Sequence, residues 1–296
     1  MSAIIIDGKK IAEEIKQEVK RETVRWKAGR GITPGLAFVL VGDNPASEVY
    51  VKMKGKGCDE VGFYSVTERL PAETSEARLR KLLDQFNHDA KIHGILVQLP
   101  LPMHISEERI LTAVDYRKDV DGFHPINVGR LVTGQGCLKP CTPLGVQELL
   151  VRSGNDPGGK HVVVVGRSNI VGKPVMNILL QKQKGANAVV TIVHTGAKDL
   201  ARFTKQADIL IAAMGNAECI TGEMIKPGAV VIDVGINRVE DPSAKNGHRL
   251  VGDVHFASAS QVASAITPVP GGVGPMTIAM LLNNTLRAAQ GDIYND

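Results

Sequence analysis

The sequence predicts an α/β protein of two domains, an N-terminal α/β domain and a Rossmann-like domain built on a parallel sheet. Three observations lead to this fold class. The chain has 296 residues, about twice the roughly 150 residues of one domain. Apolar residues make up 43% but aromatic residues only 4%, so Val, Ile, Leu and Ala must form the core, which suits helices packed on parallel strands. Strand-like and helix-like segments also alternate along the chain, which indicates βαβ units.

In the first half, short apolar runs alternate with apolar residues at helical spacing. A turn signal at 42–45 ends one run, and Pro100 ends another because proline cannot continue a strand ladder. Thr74 and Ser75 are suitable caps for a following helix. The predicted strands are 4–6, 36–41, 63–66 and 93–99. The predicted helices are 11–29, 47–60 and one that carries Leu79, Leu82, Leu83 and Phe86.

The second half is more regular, after a stretch at 115–141 with little periodicity. Thr142 and Pro143 suit the cap and first turn of a helix, and Pro275 suits the start of the last helix. The predicted strands are 161–165, 189–193, 209–213 and 230–234, with helices at 172–181 and 199–206 between them. We therefore expect residues 1–142 with 275–296 to form one domain, and residues 143–274 to form a Rossmann-like domain inserted in it.

Composition excludes several classes of protein. No apolar run approaches the roughly 18 residues of a membrane-spanning helix, and the N-terminus does not have the residue order of a targeting segment. The net charge of +4 is too small to predict nucleic-acid binding. The four cysteines form no C-x-x-C pair, so we expect reduced thiols, no metal site and a cytoplasmic protein.

A glycine turn follows the strand at 161–165. Gly166 and Gly172 are six residues apart, with Arg167 and Ser168 between them, and the turn leads into a helix. This context suits phosphate binding at a helix N-terminus, but the spacing does not match G-x-G-x-x-G. Dinucleotide binding and an ordinary strand-to-helix turn both remain open.

The end of the next strand bears on the choice of dinucleotide. It reads His194-Thr195-Gly196 and has no acidic residue. An acidic residue there usually holds the ribose of NAD and would repel a 2′-phosphate. Its absence, with Arg167 in the turn, favours NADP, although this segment could also be a plain strand end.

Three further patterns could carry chemistry. Tyr50 and Lys54 are neighbours on one helix face, which suits proton transfer but also an ordinary solvated basic face. The sequence Asp119-Val120-Asp121-Gly122 could aim a carboxylate at a polar substrate or could be a turn, and it lacks the further acids of a calcium loop. The loop 267–277 has three prolines and three glycines, which suits close approach to a flat or anionic ligand, although it could also be a plain interdomain linker.

Taken together and in this order, these motifs resemble the bifunctional methylenetetrahydrofolate dehydrogenase/methenyltetrahydrofolate cyclohydrolase family. The run 94–102, which reads GILVQLPLP, belongs to the same set, and the resemblance covers essentially the whole chain. It implies a catalytic folate-binding domain and an NADP-binding domain around a cleft, and usually a homodimer. The implied activity is NADP-dependent oxidation of 5,10-methylenetetrahydrofolate, then hydrolysis to 10-formyltetrahydrofolate, within one-carbon metabolism and purine biosynthesis. The implied partners are tetrahydrofolate derivatives, including polyglutamylated forms, and neither nucleic acid nor membrane.

The resemblance also implies residue roles. Lys54 would be the central catalytic residue, Tyr50 would stack on or bond to the folate, Gln98 would tune Lys54, and Asp121 would bind the polar edge of the pterin. An uncharged Lys54 amine would assist attack by water, since an ammonium beside a cationic methenyl group is unfavourable. The implied folate-pocket residues outside this set are Pro268 and Gly272. The implied NADP contacts are Gly166, Arg167, Ser168, Thr195 and Ile236.

One departure from the family pattern concerns Gly196. Many relatives have a basic residue there, so the preference for NADP over NAD could be weaker in this chain. Two other functions stay open on sequence grounds, namely a dehydrogenase with little or no cyclohydrolase activity and a non-catalytic dinucleotide-binding regulatory module.

Overall fold

A computed structural model describes residues 2–244 and 247–294. The described strands in chain order are β1 Ile4–Ile5, β2 Gly35–Val41, β3 Tyr64–Leu70, β4 Gly94–Val97, β5 His161–Val165, β6 Val189–Val193, β7 Ile209–Ala212, β8 Val230–Asp233, β9 Asn237–Glu240, β10 His248–Val251 and β11 Ala265–Ile266. The described α-helices are α1 Gly8–Arg30, α2 Pro45–Val61, α3 Glu76–His88, α4 Glu107–Leu111, α5 Pro125–Val132, α6 Cys141–Arg152, α7 Gly172–Leu180, α8 Ala201–Thr204, α9 Phe256–Ala259 and α10 Val273–Gln290.

The chain forms two compact units. The first, here the large-sheet unit, joins the N-terminal residues up to Ala12 to the segment Thr142–Thr277. The second, the small-sheet unit, joins Glu13–Cys141 to the C-terminal residues from Ile278. The sequence predicts one interrupted domain, 1–142 with 275–296, and one continuous domain, 143–274, whereas in the structure residues 2–12 join the large-sheet unit and both units are interrupted. Residues 2–12 join the large-sheet unit because β1 pairs with β11 in parallel, and a two-residue strand gives no sequence signal for a partner so far along the chain.

The large-sheet unit contains a six-stranded sheet in the order β1-β11-β8-β7-β5-β6. Every pair in it is parallel. The central strands β5 and β7 are almost wholly apolar and buried, as expected when helices cover both faces of a parallel sheet. Strand order reverses at β5, whose two neighbours β6 and β7 follow it in sequence on opposite sides. Ligands of open α/β sheets bind at the carboxyl ends of strands at such a reversal.

The small-sheet unit contains three parallel strands in the order β3-β2-β4. All seven residues of the central strand β2 are buried. Leu79, Leu83 and Phe86 of α3 belong to the buried apolar cluster with the sheet residues, which the helical spacing predicted. At Gly57, α2 approaches α10 closely enough that a Cβ would lie 3.2 Å from the side chain of Ile278.

Several elements differ from the sequence expectation. The helices α4 and α5 and the hairpin β9–β10 were missed. Helix α6 begins at Cys141, so Thr142 lies inside its first turn instead of capping it. The hydroxyl of Thr142 makes a 2.9 Å hydrogen bond with that of Thr277. No helix within the described part of the chain is both long and apolar enough to span a membrane.

Candidate active site

Helix α2 carries a lysine that differs from its neighbours. Pro45 occupies the first turn, and Asn44 Oδ1 accepts the N–H of Ser47 at 3.2 Å, which fixes where the helix begins. Lys54 is only 9% exposed, whereas the Lys56 side chain is 78% exposed. The alternative of a uniformly solvated basic face is therefore wrong for Lys54.

The partner of this amine is an amide at the end of β4. Lys54 Nζ donates to Gln98 Oε1 at 3.0 Å, and Gln98 Nε2 donates to the carbonyl of Leu99 at 2.8 Å. The second bond fixes which end of the amide faces the lysine. The backbone N–H of Gln98 bonds the carbonyl of Val39 at 2.9 Å, so the sheet itself sets the position of the residue.

Asp121 lies in the same constellation. Its side chain is partly buried, and burial raises its pKa, while the charge that Lys54 carries when protonated lowers it in part. Burial also raises the pKa of the Cys141 thiol well above its usual value, so the thiol is protonated, and it donates its one hydrogen to the carbonyl of Val120 at 3.2 Å. An amine, an amide and a carboxyl group thus share one site.

Tyr50 lies one turn before Lys54 on α2 and is 45% exposed. A large aromatic side chain at that exposure can stack on a flat ligand. Tyr50, Lys54, Gln98 and Asp121 all belong to the small-sheet unit.

A buried asparagine that sequence reasoning missed joins the residue before Asp121 to Lys139, which lies just before α6. Asn284 on α10 is 1% exposed, and its Nδ2 donates to the carbonyls of Val120 and Lys139, both at 2.8 Å. Its Oδ1 has no hydrogen-bond partner among the described residues. The available signal was a polar residue between Leu282 and Leu286 in the largely apolar sequence of α10.

Asp119 is turned into its own loop. It is 5% exposed, and its Oδ2 accepts the N–H of His124 at 2.8 Å and Nδ2 of Asn127 at 2.9 Å. Burial raises its pKa to about 6. Asn127 Oδ1 in turn accepts the hydroxyl of Tyr294 at 2.7 Å. Asp119 therefore organises the loop, and the described residues include no group of three His, Cys, Asp or Glu that could hold a metal ion.

The glycine turn in the large-sheet unit follows β5. Gly166 has φ +133°, and a Cβ there would overlap the carbonyl of Ala213, so a side chain is excluded on both counts. Ser168 Oγ accepts the N–H groups of Val171 at 3.1 Å and Gly172 at 3.3 Å. The serine thus accepts the N–H of the first residue of α7 and keeps its own hydroxyl hydrogen for another acceptor.

The other predicted cofactor contacts lie at neighbouring strand ends of the same unit. Arg167 and Thr195 are exposed, and Thr195 follows β6, which pairs with β5. The N–H of Gly196 bonds the ring of His194 at 3.0 Å. Ile236 follows β8 and is 49% exposed. These side chains are available to a ligand at the carboxyl ends of the strands.

Pro268 and Gly272 also belong to the large-sheet unit, in the loop between β11 and α10. Gly272 is buried and packs against Gly8, the first residue of α1. The two backbones are so close that a Cβ at Gly8 would overlap the Gly272 carbonyl. This loop is therefore packed against the rest of its unit, whereas a plain linker would make few such contacts. The predicted residues are thus divided between the units: Lys54, Tyr50, Gln98 and Asp121 lie in one, and Pro268, Gly272 and the cofactor contacts lie in the other.

Comparison with known proteins gives matches over both units. Residues 6–121 match the family model described as tetrahydrofolate dehydrogenase/cyclohydrolase, catalytic domain. Residues 140–293 match the model described as tetrahydrofolate dehydrogenase/cyclohydrolase, NAD(P)-binding domain. The chain is 62% identical to the Bifunctional protein FolD of Moorella thermoacetica, over 98% of this chain and 100% of that protein.

Two solved structures are similar along the full length. The bifunctional methylenetetrahydrofolate dehydrogenase/cyclohydrolase FolD of Campylobacter jejuni is 47% identical with a TM-score of 0.92, and the match covers 98% of this chain and 99% of the other. The Trypanosoma brucei enzyme, solved with NADP and an inhibitor, is 40% identical with a TM-score of 0.91, over 99% of each chain.

Proposed function

Because this chain belongs to the tetrahydrofolate dehydrogenase/cyclohydrolase family, we infer that it oxidises 5,10-methylenetetrahydrofolate with NADP⁺ and hydrolyses the methenyl product to 10-formyltetrahydrofolate. The observation that carries the proposal is the contact of Lys54 with Gln98 beside Asp121. A binding module without catalysis would have no need of a buried amine held by an amide.

The residues at the strand ends of the large-sheet unit fit NADP. Gly166 allows the turn to pack closely on the Ala213 carbonyl, Ser168 has a hydroxyl hydrogen to donate, and Arg167 is exposed. No acidic residue lies at 194–196 to repel a 2′-phosphate. We propose that Gly166, Arg167, Ser168, Thr195 and Ile236 hold the cofactor. Bound NADP⁺ supplies the hydride acceptor.

For the hydrolytic step, we propose that Lys54 acts as an uncharged amine. The oxygen of water bonds to the methenyl carbon, one water proton is released, and the bond from that carbon to N5 breaks as N5 takes the second proton. A neutral amine can donate one N–H to Gln98 and still use its lone pair to accept the released proton, whereas an ammonium has no acceptor. Gln98 orients this group without adding charge.

We propose that the remaining polar and apolar residues bind the folate. Asp121, whose pKa burial raises, would bond the polar edge of the pterin. Tyr50 would stack on a ring, and Pro268 and Gly272 would line the folate pocket. The substrates would be tetrahydrofolate derivatives, with polyglutamylated forms included.

The decisive experiment replaces Lys54 with methionine, which keeps the aliphatic stem and removes the amine. We expect Lys54→Met to lower the cyclohydrolase rate by about 100-fold or more, measured as the decay of 5,10-methenyltetrahydrofolate. Lys52→Met is the matched control, because Lys52 is an exposed lysine on the same helix. Full cyclohydrolase activity in Lys54→Met would overturn the role.

A single assay of the unmodified chain with 5,10-methylenetetrahydrofolate and NADP⁺ separates the other functions. The bifunctional enzyme produces NADPH and consumes the methenyl intermediate. A dehydrogenase without cyclohydrolase activity would produce NADPH while the methenyl compound accumulates beyond its spontaneous decay. A regulatory module would produce neither.

We also propose a homodimer in the cytoplasm. The outer edge of β6 ends the six-stranded sheet, and Val189 on it is 64% exposed, which leaves a strand edge that a second copy could cover. The four free cysteines are compatible with a reducing compartment. Light scattering during gel filtration would test the dimer, and a mass of one chain would refute it.

A further inference from the structure

A fully buried carboxylate lies beneath the loop that follows β7. Asp253 is 0% exposed. Its Oδ2 accepts the N–H groups of Met214 at 2.6 Å and Gly215 at 3.0 Å, and its Oδ1 accepts the N–H of Asn216 at 2.9 Å and Nδ2 of Asn237 at 2.9 Å. Four donors, three from the loop after β7 and one from the first residue of β9, thus converge on one side chain, and both carboxylate oxygens are used.

A second buried carboxylate holds the first one in place. Asp233, the last residue of β8, is 3% exposed. It accepts the backbone N–H groups of Gly235 and Asp253 at 3.0 Å and of Val254 at 2.9 Å. A Cβ at Gly252 would overlap the carboxylate of Asp233, so glycine is required there by this close approach. Asp233 therefore joins the turn after β8 to the segment that carries Asp253.

The loops organised by this pair are those on which a dinucleotide would lie. The loop 213–216 follows β7, the neighbour of β5, and the carbonyl of Ala213 abuts the Cα of Gly166 in the glycine turn. Asn237, which donates to Asp253, directly follows Ile236. All these segments lie at the carboxyl ends of the strands beside the reversal of strand order, where ligands of this fold class bind.

We propose that Asp253 is a positioning residue for dinucleotide binding, and that Asp233 fixes it beneath the loops after β7 and β8. Asp253 touches neither substrate nor cofactor in this proposal; it sets the backbone that supports Gly166 and Ile236. The inference rests on the proposed function, because it presupposes that NADP⁺ binds at these strand ends.

The substitution Asp253→Asn tests this with almost no change in shape. An asparagine must turn its NH₂ group toward one pair of donors, so two of the four hydrogen bonds are replaced by opposed donors. We expect the Kd for NADP⁺, measured by calorimetric titration, to rise at least tenfold. The cyclohydrolase rate with 5,10-methenyltetrahydrofolate should stay within twofold, because that reaction uses no dinucleotide.

Asp208→Asn is the matched control. Asp208 lies in the same unit just before β7, at the amino end of the sheet, and it also accepts a backbone N–H, that of His161 at 2.9 Å. Its substitution should leave the Kd for NADP⁺ within twofold of that of the unmodified protein.

The outcomes are distinct. An unchanged Kd in Asp253→Asn, or an equal loss of NADP⁺ affinity and cyclohydrolase activity, would overturn the proposal, since the second pattern marks a merely structural role. If Asp253→Asn does not fold, Asn237→Leu decides, because it removes one donor only; a Kd raised about threefold supports the proposal and an unchanged Kd overturns it. Failure of the unmodified chain to bind NADP⁺ would instead refute the proposed function.

Discussion

Replacing Asn284 with leucine should destabilise the small-sheet unit by a predictable amount. The side chain is buried, and its amide donates to the carbonyls of Val120 and Lys139. Leucine fills similar space but donates nothing. The Val120 carbonyl keeps the Cys141 thiol as a donor at 3.2 Å, whereas the Lys139 carbonyl loses the amide.

These contacts set the expected magnitude. A buried acceptor left without a donor costs about 1–3 kcal/mol, and the weakened Val120 carbonyl adds about 0.5–1 kcal/mol. Leucine also removes Oδ1 of Asn284, a buried acceptor without a partner in the described chain. Its removal stabilises the folded state by about 1 kcal/mol. The net loss of unfolding free energy should therefore be about 2 kcal/mol.

The chain offers a local probe and a matched control for this measurement. Its single tryptophan, Trp26, lies in the small-sheet unit, so urea unfolding followed by tryptophan fluorescence reports on that unit. Asn283→Leu makes the same exchange one position earlier on α10, where the residue is partly exposed; its effect should be within about 0.5 kcal/mol.

The result that would refute the reasoning is an Asn284→Leu variant as stable as Asn283→Leu. It would mean that the carbonyls of Val120 and Lys139 find other donors, and that Asn284 is not what holds the chain around Asp121. Equal KM values for the folate substrate in the two variants would contradict the same conclusion independently.

Three further predictions follow from the site. Gln98→Glu places a carboxylate next to Lys54 Nζ and favours the ammonium form, so hydrolysis of the methenyl substrate should slow by about 100-fold; an unchanged rate would argue against a neutral amine. Burial raises the pKa of Asp119 to about 6, above the value of about 3.9 in an unfolded chain. The native state therefore holds a proton that the unfolded chain releases, and this contribution to stability falls by up to about 3 kcal/mol as pH rises from about 4 to about 6. Asp119→Asn should remove that fall in Trp26-monitored unfolding, and an unaltered pH profile would contradict it. Arg167→Ala should lower the kcat/KM ratio of NADP⁺ to NAD⁺ by about tenfold or more through loss of a charge-assisted hydrogen bond; a constant ratio would exclude Arg167 as the 2′-phosphate contact.

The strands of the large sheet could be predicted closely because their signal is local. β5 and β6 agree with the sequence-based ranges 161–165 and 189–193 at both ends, since each is an apolar run bounded by turn residues. Helix α5 could not be predicted in this way. It has eight residues, and its start depends on His124, whose ring accepts the N–H of Ile126 and whose own N–H bonds Asp119.

The candidate site was predictable only in part. The pairing of Tyr50 with Lys54 follows from helical spacing, but the contact of Lys54 with Gln98 joins residues 44 positions apart and could be anticipated only from the family resemblance. Asn284 and Asp253 belong to no motif that predicts chemistry. Asn284 contacts Val120 across 164 positions, so no local pattern could identify its partner.

Asp253 and Asn284 satisfy opposite kinds of buried backbone group, N–H donors in the first case and carbonyl acceptors in the second. Loops that leave the sheets carry backbone groups that no ladder satisfies, and buried groups of this kind need a partner. Around 214–216 the unsatisfied groups are N–H donors, so a side chain with two acceptor oxygens, Asp253, meets them. Around Asp121 they are the carbonyls of Val120 and Lys139, so an amide NH₂ is needed. An NH₂ group in place of a carboxylate oxygen of Asp253 would face N–H donors, and a carboxylate oxygen in place of the Asn284 NH₂ group would face carbonyl acceptors. For this reason Asp253→Asn and Asn284→Asp, although nearly isosteric, should each disturb a loop that carries functional residues, and a substitution table based on size alone would misjudge both.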